Sequence, residues 1–332
     1  MIMRVVSPMP EGSGAIAVHR QLAEALPGYQ VMPYSPRREY WPFGLHRLVG
    51  RSAELVHTAP DYAIFSAPAD VPLMLTFHNY ILDADMRRYS SLMQRIHYRT
   101  SLRHFTRRAL VRADMVTAVS QFTADVARRD LGYDREIRVI PNGVDPKRFH
   151  PAGRDRHRAV GSVRILFSGN PTVRKGADLL PKIAAGVTQE ATVLCTGGLR
   201  GGARIPGADV VTLDRVPPAK MPELYGSVDI CLLPTVREGM SLAVLEAMAS
   251  GLPVVTSDCA SMPELVHHGK GGFLCPVGDA SAFAQALNTL VDSPELRTQM
   301  GEYNRQRVLD AFDVKATVAA YRQLFQELID RG

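Results

Sequence analysis

Only four cysteines occur in the 332 residues. Cys195, Cys231, Cys259 and Cys275 show neither metal-ligand spacing nor a disulfide framework. Cys195 and Cys231 fall in apolar, strand-like runs, where a thiol packs as a small hydrophobe. No apolar run approaches the ~20 residues needed to span a bilayer. Met1 to Ser7 is too short for a signal sequence and reads as a first strand. These absences argue against a disulfide scaffold and a membrane-spanning helix, and make a reducing cytoplasm the expected compartment. The composition of disorder is missing too: 46% of residues are hydrophobic and 22% charged, so a sizeable core is expected. The length points to two domains.

Acidic residues are absent from one long stretch. Met86 to Arg112 carries eight arginines and two histidines without a single Asp or Glu. The apolar positions 86, 89, 93 and 96 make one helical stripe and 98, 102, 105 and 109 a second, so a bend is expected between Ile96 and Tyr98. Two readings stand side by side. One is a solvated helix face; the other is a basic amphipathic surface for anionic lipid or a phosphorylated acceptor. The net charge of +6 is confined to the same half, because residues 1–150 hold 20 Lys and Arg against 14 Asp and Glu.

What is present is concentrated in Pro234 to Pro253, Pro-Thr-Val-Arg-Glu-Gly-Met-Ser-Leu-Ala-Val-Leu-Glu-Ala-Met-Ala-Ser-Gly-Leu-Pro. The apolar run Val228 to Leu233 before it reads as a buried strand. Ser241, Leu242, Leu245 and Met248 then recur at helical spacing, Gly251 ends the helix, and Pro253 to Thr256 is another strand. A loop opening onto a helix N-terminus suits a phosphate, here met by the amides of Gly239, Met240, Ser241 and Leu242. Glu238 and Glu246 flank that site, the second expected about two turns into the helix. Carboxylates repel phosphate but accept from hydroxyls. A diphosphate with sugars at both ends, a nucleotide sugar, fits that arrangement.

Glu238-x7-Glu246 followed by Glu-Ala-Met-Ala-x-Gly-x-Pro-Val resembles the signature of the retaining family-4 glycosyltransferases. The resemblance implies the GT-B fold, an α/β architecture of two Rossmann-like domains facing a central cleft. The domains are expected at 1–155 (acceptor side) and 160–315 (nucleotide-sugar binding), with a C-terminal helix, 316–332, crossing back to the first. Pro141-Asn-Gly-Val-Asp-Pro-Lys-Arg-Phe149 resembles the family's exit turn from the first domain, and Pro151 to Gly161 reads as a linker.

Further positions take their expected roles from the resemblance. Gly12 and Gly14, after the first strand, would line the cleft near the sugar and the acceptor; Gly12-x-Gly14 lacks the third glycine of a dinucleotide fingerprint. His78, ending the strand Leu73 to His78, matches a position that touches the donor sugar, and the carboxyl end of a parallel strand is where a ligand crevice lies. In Gly169-Asn-Pro-Thr-Val-Arg-Lys-Gly176, Lys175 matches a cation that neutralises the leaving diphosphate. The family's Arg position is Asn170 here, and Arg174, adjacent to Lys175, is expected to supply the second positive charge. Val216 matches a backbone position that reads the base. Tyr29 to Tyr34 and Tyr62 to Ser66 are further expected strands, and Pro33 to Arg51 an acceptor loop.

The implied activity is transfer of a hexose from a nucleotide-diphosphate sugar to an acceptor hydroxyl, on a lipid-linked or phosphorylated glycan, with retention. Glu238, His78, Lys175 and Arg174 would serve the chemistry, and Glu246 the ribose. No cofactor, metal or nucleic-acid partner is expected, side chains and a helix dipole replacing a cation. An epimerase of the same fold and a donor-binding protein without turnover are the alternatives.

Overall fold

The computed structural model describes residues 3–50, 52–83, 85–151, 162–197 and 210–331. The chain divides into two compact units, Met1–Asn142 with Lys315–Gly332, and Gly143–Val314. The expected domain ends at 155 and 160, most of the linker, and Gly198 lie outside the described residues.

The first unit is a six-stranded parallel sheet: β1 Val5–Pro10, β2 Tyr29–Tyr34, β3 Leu55–Thr58, β4 Leu73–Phe77, β5 Met115–Ala118 and β6 Arg138–Val139, in the order β2-β1-β3-β4-β5-β6. β1 pairs with β2 along its whole length but with β3 only at Val5 and Val6. Pro8 and Pro10, which lack an N–H, therefore fall where one side of the ladder has already ended.

The Tyr62 to Ser66 strand expected from the sequence is a correction. Ala63–Ser66 is a single helical turn, and the strand beside β1 is instead Leu55–Thr58, buried at every position. Tyr62 to Ser66 has the apolar content of a strand, but Pro60 and Asp61 just before it start a turn. β3 escaped notice because four residues containing His57 do not read as an apolar run.

Two apolar layers cover this sheet. On one side Val56, Leu75, Phe77, Val116 and Leu110 pack together. On the other, Leu22, Leu55, Met74 and Met115 meet Tyr321, Leu324, Phe325 and Leu328 of the C-terminal helix Val314–Ile329. Arg138 on β6 adds an ion pair to Glu327 of that helix, with Nη1 2.9 Å from Oε2. In the basic stretch, the helices Leu92–His97 and Arg103–Arg112 are joined by a π-helical turn, Tyr98–Leu102, where the apolar stripe changes position.

The second unit repeats the plan with β7 Val163–Phe167, β8 Ala191–Cys195, β9 Val210–Thr212, β10 Ile230–Leu233, β11 Val254–Ser257 and β12 Gly272–Cys275, all parallel, ordered β12-β11-β10-β7-β8-β9. Strands buried on both faces need continuous apolar runs, and Ile165, Leu166, Phe167, Ile230, Leu232, Val254 and Val255 are fully enclosed. Cys195 and Cys231 belong to this core, where burial pushes both thiols up to about 12.

Candidate functional site

β7 and β10 are neighbours in parallel register, Ile165 opposite Ile230 and Phe167 opposite Leu232. Their carboxyl ends consequently deliver two loops to one place, Ser168–Gly176 and Pro234–Ser241. The loops are tied together by backbone and side chain. Val236 N–H and Thr235 Oγ1 both donate to the Arg174 carbonyl, at 2.9 and 3.1 Å, and Arg174 Nη1 donates to the Arg237 carbonyl at 2.8 Å. Gly176, at φ +75°, lies so close to Pro234 that a Cβ would sit 2.0 Å from its carbonyl oxygen.

This zipper brings three of the expected residues together. Arg174 Nη1 is 3.5 Å and Lys175 Nζ 3.8 Å from the same oxygen, Oε1 of Glu238. Gly169 completes the turn at φ +131°, and a Cβ there would come within 3.0 Å of Lys175 Nζ. Asn170 is exposed on the same loop.

The signature helix runs Leu242–Ala249 with Ser241 as its N-cap, the hydroxyl accepting from Val244 N–H at 3.4 Å. The first intrahelical bond is Leu245 N–H to the Ser241 carbonyl. The N–H groups of Leu242 and Ala243 thus lie in the first turn, where a helix has no acceptor for them and carries positive dipole charge. Glu246 sits one turn into the helix rather than the two expected, since helical geometry starts at Leu242 and not at Gly239.

Burial pushes the Glu246 carboxyl up to about 7, against the pull of the Tyr225 hydroxyl and the positive charges of Arg148 and Lys175. Tyr225 is fully buried, its hydroxyl 2.8 Å from Ser168 Oγ and 3.1 Å from the Ala243 carbonyl. It links the β7 loop to the first turn of the signature helix.

Two supports went unnoticed in the sequence. Tyr225 lies in the short helix Met221–Gly226. Arg305 donates to the carbonyls of Phe149, Ala249 and Pro146 at 2.7, 2.7 and 2.8 Å, tying the exit turn to the last turn of the signature helix. No local signal marks either residue, because both act across long sequence separations. Val216 lies partly buried in the loop after β9.

Gly12 and Gly14 belong to the first unit. Gly12 forms the turn after β1 at φ +75°, and Gly14 opens the helix Gly14–Ala25, with open space beside both. His78 stands directly after β4, its Nε2 2.8 Å from Nε2 of His19. The metal-free reading overlooked Asp83-Ala84-Asp85. Asp83 Oδ1 accepts from Met86 N–H at 3.1 Å, a local turn contact. Among the described residues, no group of three or more His, Cys, Asp or Glu gathers around a metal-sized position.

Comparison with known proteins agrees with this construction. Residues 3–148 match the family model described as Glycosyltransferase Family 4, and residues 162–293 that described as Glycosyl transferases group 1. The chain is 27% identical over 250 residues to the N-acetyl-alpha-D-glucosaminyl L-malate synthase of Bacillus anthracis, which covers 69% of this chain and 64% of that protein. It is 32% identical over 231 residues to the D-inositol 3-phosphate glycosyltransferase of Corynebacterium jeikeium, covering 60% and 55% respectively. It therefore spans less than two thirds of either relative.

Among solved structures, sucrose-phosphate synthase from Thermosynechococcus elongatus superposes with a TM-score of 0.80 at 19% identity, over 99% of this chain and 100% of that one. Anabaena HepE, solved in complex with UDP-glucose, gives 0.77 at 18% identity over 98% and 100%. Both similarities speak to the fold, a GT-B arrangement of two Rossmann-like sheets. The motif, the two sheets and the two family models lead to one assignment: the chain belongs to the family-4, group 1 glycosyltransferases.

Proposed function

We propose that the chain transfers a sugar from a nucleotide-diphosphate sugar to an acceptor hydroxyl, with retention and without a metal. The observation that carries this is the convergence of Arg174 and Lys175 on Glu238, at a loop that runs into the signature helix. In this reading the diphosphate lies against the helix N-terminus and the two cations, which take up the negative charge that grows as the glycosidic bond breaks. Glu238 accepts from a hydroxyl of the transferred hexose, and Glu246 from the ribose. Arg174 stands in for the cation missing at Asn170. The relatives' named activities, a synthase and a glycosyltransferase rather than epimerases, favour a transferase over the epimerase alternative.

Lys175→Ala tests the assignment. The variant loses at least about tenfold in kcat/KM for the nucleotide sugar, ~1.4 kcal/mol of transition-state stabilisation, with the fold intact. A smaller loss removes Lys175 from the leaving-group role.

A membrane-facing acceptor is supported by one feature. Leu92, Met93 and Ile96 are 72%, 81% and 57% exposed, beside the exposed Arg95 and Arg99. Among the described residues no helix is long and apolar enough to cross a membrane. Arg103 is already held by Asp130 at 2.6 Å, so the informative variants are Arg95→Glu with Arg99→Glu. They abolish co-sedimentation with phosphatidylglycerol vesicles if this helix lies on anionic lipid; unchanged sedimentation rejects it.

A further inference from the structure

The first unit holds a continuous chain of buried hydrogen bonds that the proposed chemistry does not use. It starts at His78, directly after β4, and ends at Thr117 on β5. His78 Nε2 lies 2.8 Å from His19 Nε2, and His19 Nδ1 lies 2.7 Å from both Ser7 Oγ and the Tyr29 hydroxyl. Tyr29 is 2.7 Å from His57 Nδ1, His57 Nε2 is 2.7 Å from Thr76 Oγ1, and Thr76 is 2.7 Å from Thr117 Oγ1. His19, His57, Thr76 and Thr117 are all fully enclosed.

Burial keeps the three imidazoles neutral. It holds His19 and His57 well below their ordinary value and lowers His78 to about 4. A neutral imidazole has one N–H and one lone pair, so each link in the chain sets the direction of the next.

The two ends together favour one direction. Thr117 Oγ1 is 3.2 Å from the Leu75 carbonyl, which can only accept and so can take the Thr117 proton, and the Tyr321 hydroxyl is a further neighbour of Thr76 at 3.4 Å. The opposite direction would leave a buried N–H rather than a lone pair unpaired at His78, the costlier orphan. The Thr76 hydroxyl then donates to Thr117, and its oxygen accepts from His57 Nε2–H. His57 Nδ1 is left with a lone pair and accepts from the Tyr29 hydroxyl. The Tyr29 oxygen and Ser7 share the N–H on His19 Nδ1. His19 Nε2 in turn accepts from His78 Nε2–H. One nitrogen remains at the end of the sequence. His78 Nδ1 is buried and has no hydrogen-bond partner among the described residues, and an unsatisfied buried polar atom in a folded protein calls for an explanation.

We propose that the Thr117–Thr76–His57–Tyr29–His19 chain locks His78 as the Nε2–H tautomer, so that Nδ1 presents a lone pair to a hydroxyl of the sugar substrate. His19, Tyr29 and His57 are positioning residues, acting through His78. The lock itself is independent of the glycosyl-transfer reading; only the identity of the hydroxyl rests on it.

The test is a long-range 1H–15N correlation spectrum of the full chain labelled with 15N-histidine at about pH 7.5, His78 being assigned through His78→Gln. The wild type shows a pyrrole-type Nε2 and a pyridine-type Nδ1 on His78. Thr76→Val keeps the side-chain shape but removes the acceptor for His57 Nε2–H. The whole chain can then reverse, and a second His78 tautomer appears. Tyr29→Phe cuts the link, so His78 shows both tautomers in that variant whether or not Thr76 is also replaced.

A wild-type His78 protonated on Nδ1, or averaging between tautomers, overturns the lock. So does a Thr76→Val spectrum with His78 unchanged while the remaining signals show a native fold. Titration with UDP-glucose, and separately with UDP plus free glucose, reads the ligand. A shift of His78 Nδ1 with UDP-glucose alone places the hydroxyl on the donor sugar, and a shift only with free glucose places it on the acceptor. No shift in either titration overturns the substrate contact while leaving the tautomer result standing.

Discussion

If Glu246 accepts from the ribose as proposed, its ionisation makes donor binding depend on pH in a calculable way. Burial raises its carboxyl from 4.5 to about 7. Only the ionised form is a full acceptor for ribose hydroxyls, because the protonated acid has surrendered one oxygen to a proton. With a midpoint at about 7, roughly one carboxyl in eleven is ionised at pH 6 and ten in eleven at pH 8, so donor affinity should rise about tenfold between them, ~1.4 kcal/mol. The diphosphate of a nucleotide sugar keeps its charge throughout that range, so the ligand contributes no comparable change.

Calorimetric titration of UDP-glucose at several pH values, on wild type and Glu246→Gln, reads the effect directly. The amide variant should bind weakly and with little pH dependence. The same group sets a stability trend of definite sign. Its folded value lies above its unfolded one, so its contribution is complete below about 4.5 and is lost as pH rises through about 7. Glu246→Gln should therefore gain on the wild type in thermal stability towards alkaline pH. Equal pH slopes of donor affinity in the two proteins would refute the ribose role and the buried-carboxyl argument together.

Two further perturbations probe the scaffold. Gly176→Ala forces a side chain into a left-handed backbone position with its Cβ 2.0 Å from the Pro234 carbonyl oxygen; the strain alone costs about 1–3 kcal/mol, and urea unfolding should show a lower midpoint, an unchanged one ruling out the close approach of the two loops. Phe325→Ala removes a fully buried ring from the C-terminal helix and should cost about 3–5 kcal/mol; a loss below ~1 kcal/mol in the same assay would mean that this helix does not complete the first unit's core.

What the sequence disclosed follows from where the information lies. The signature helix was legible because its signals are local: Ser241 as cap, Leu245 and Met248 at helical spacing, Gly251 and Pro253 as stop. The shift of the apolar stripe after Ile96 was equally local, and a π-helical turn occupies that place. β3 was not legible, because the polar His57 interrupts a four-residue strand and is tolerated only through partners 19 and 28 positions away. Tyr225 and Arg305 fail for the same reason, their partners being up to 159 residues distant. Local propensity cannot report a side chain whose conformation is decided by tertiary contacts.

The family resemblance places an arginine where this chain has Asn170, and on the proposed function that bears on how charge is delivered. A cation at 170 would stand on an exposed loop and be free to move. Arg174 is instead anchored, one nitrogen on the Arg237 carbonyl at 2.8 Å and its guanidinium beside Glu238. Anchoring reduces reach but removes the rotamer freedom that a long side chain otherwise loses when it grips a ligand. Glu238 gains from the same arrangement, because two cations converging on Oε1 hold its carboxylate in one orientation. On the proposed reading, a departure that looks like a lost charge in the sequence is a charge moved four residues along the chain onto a more rigid support.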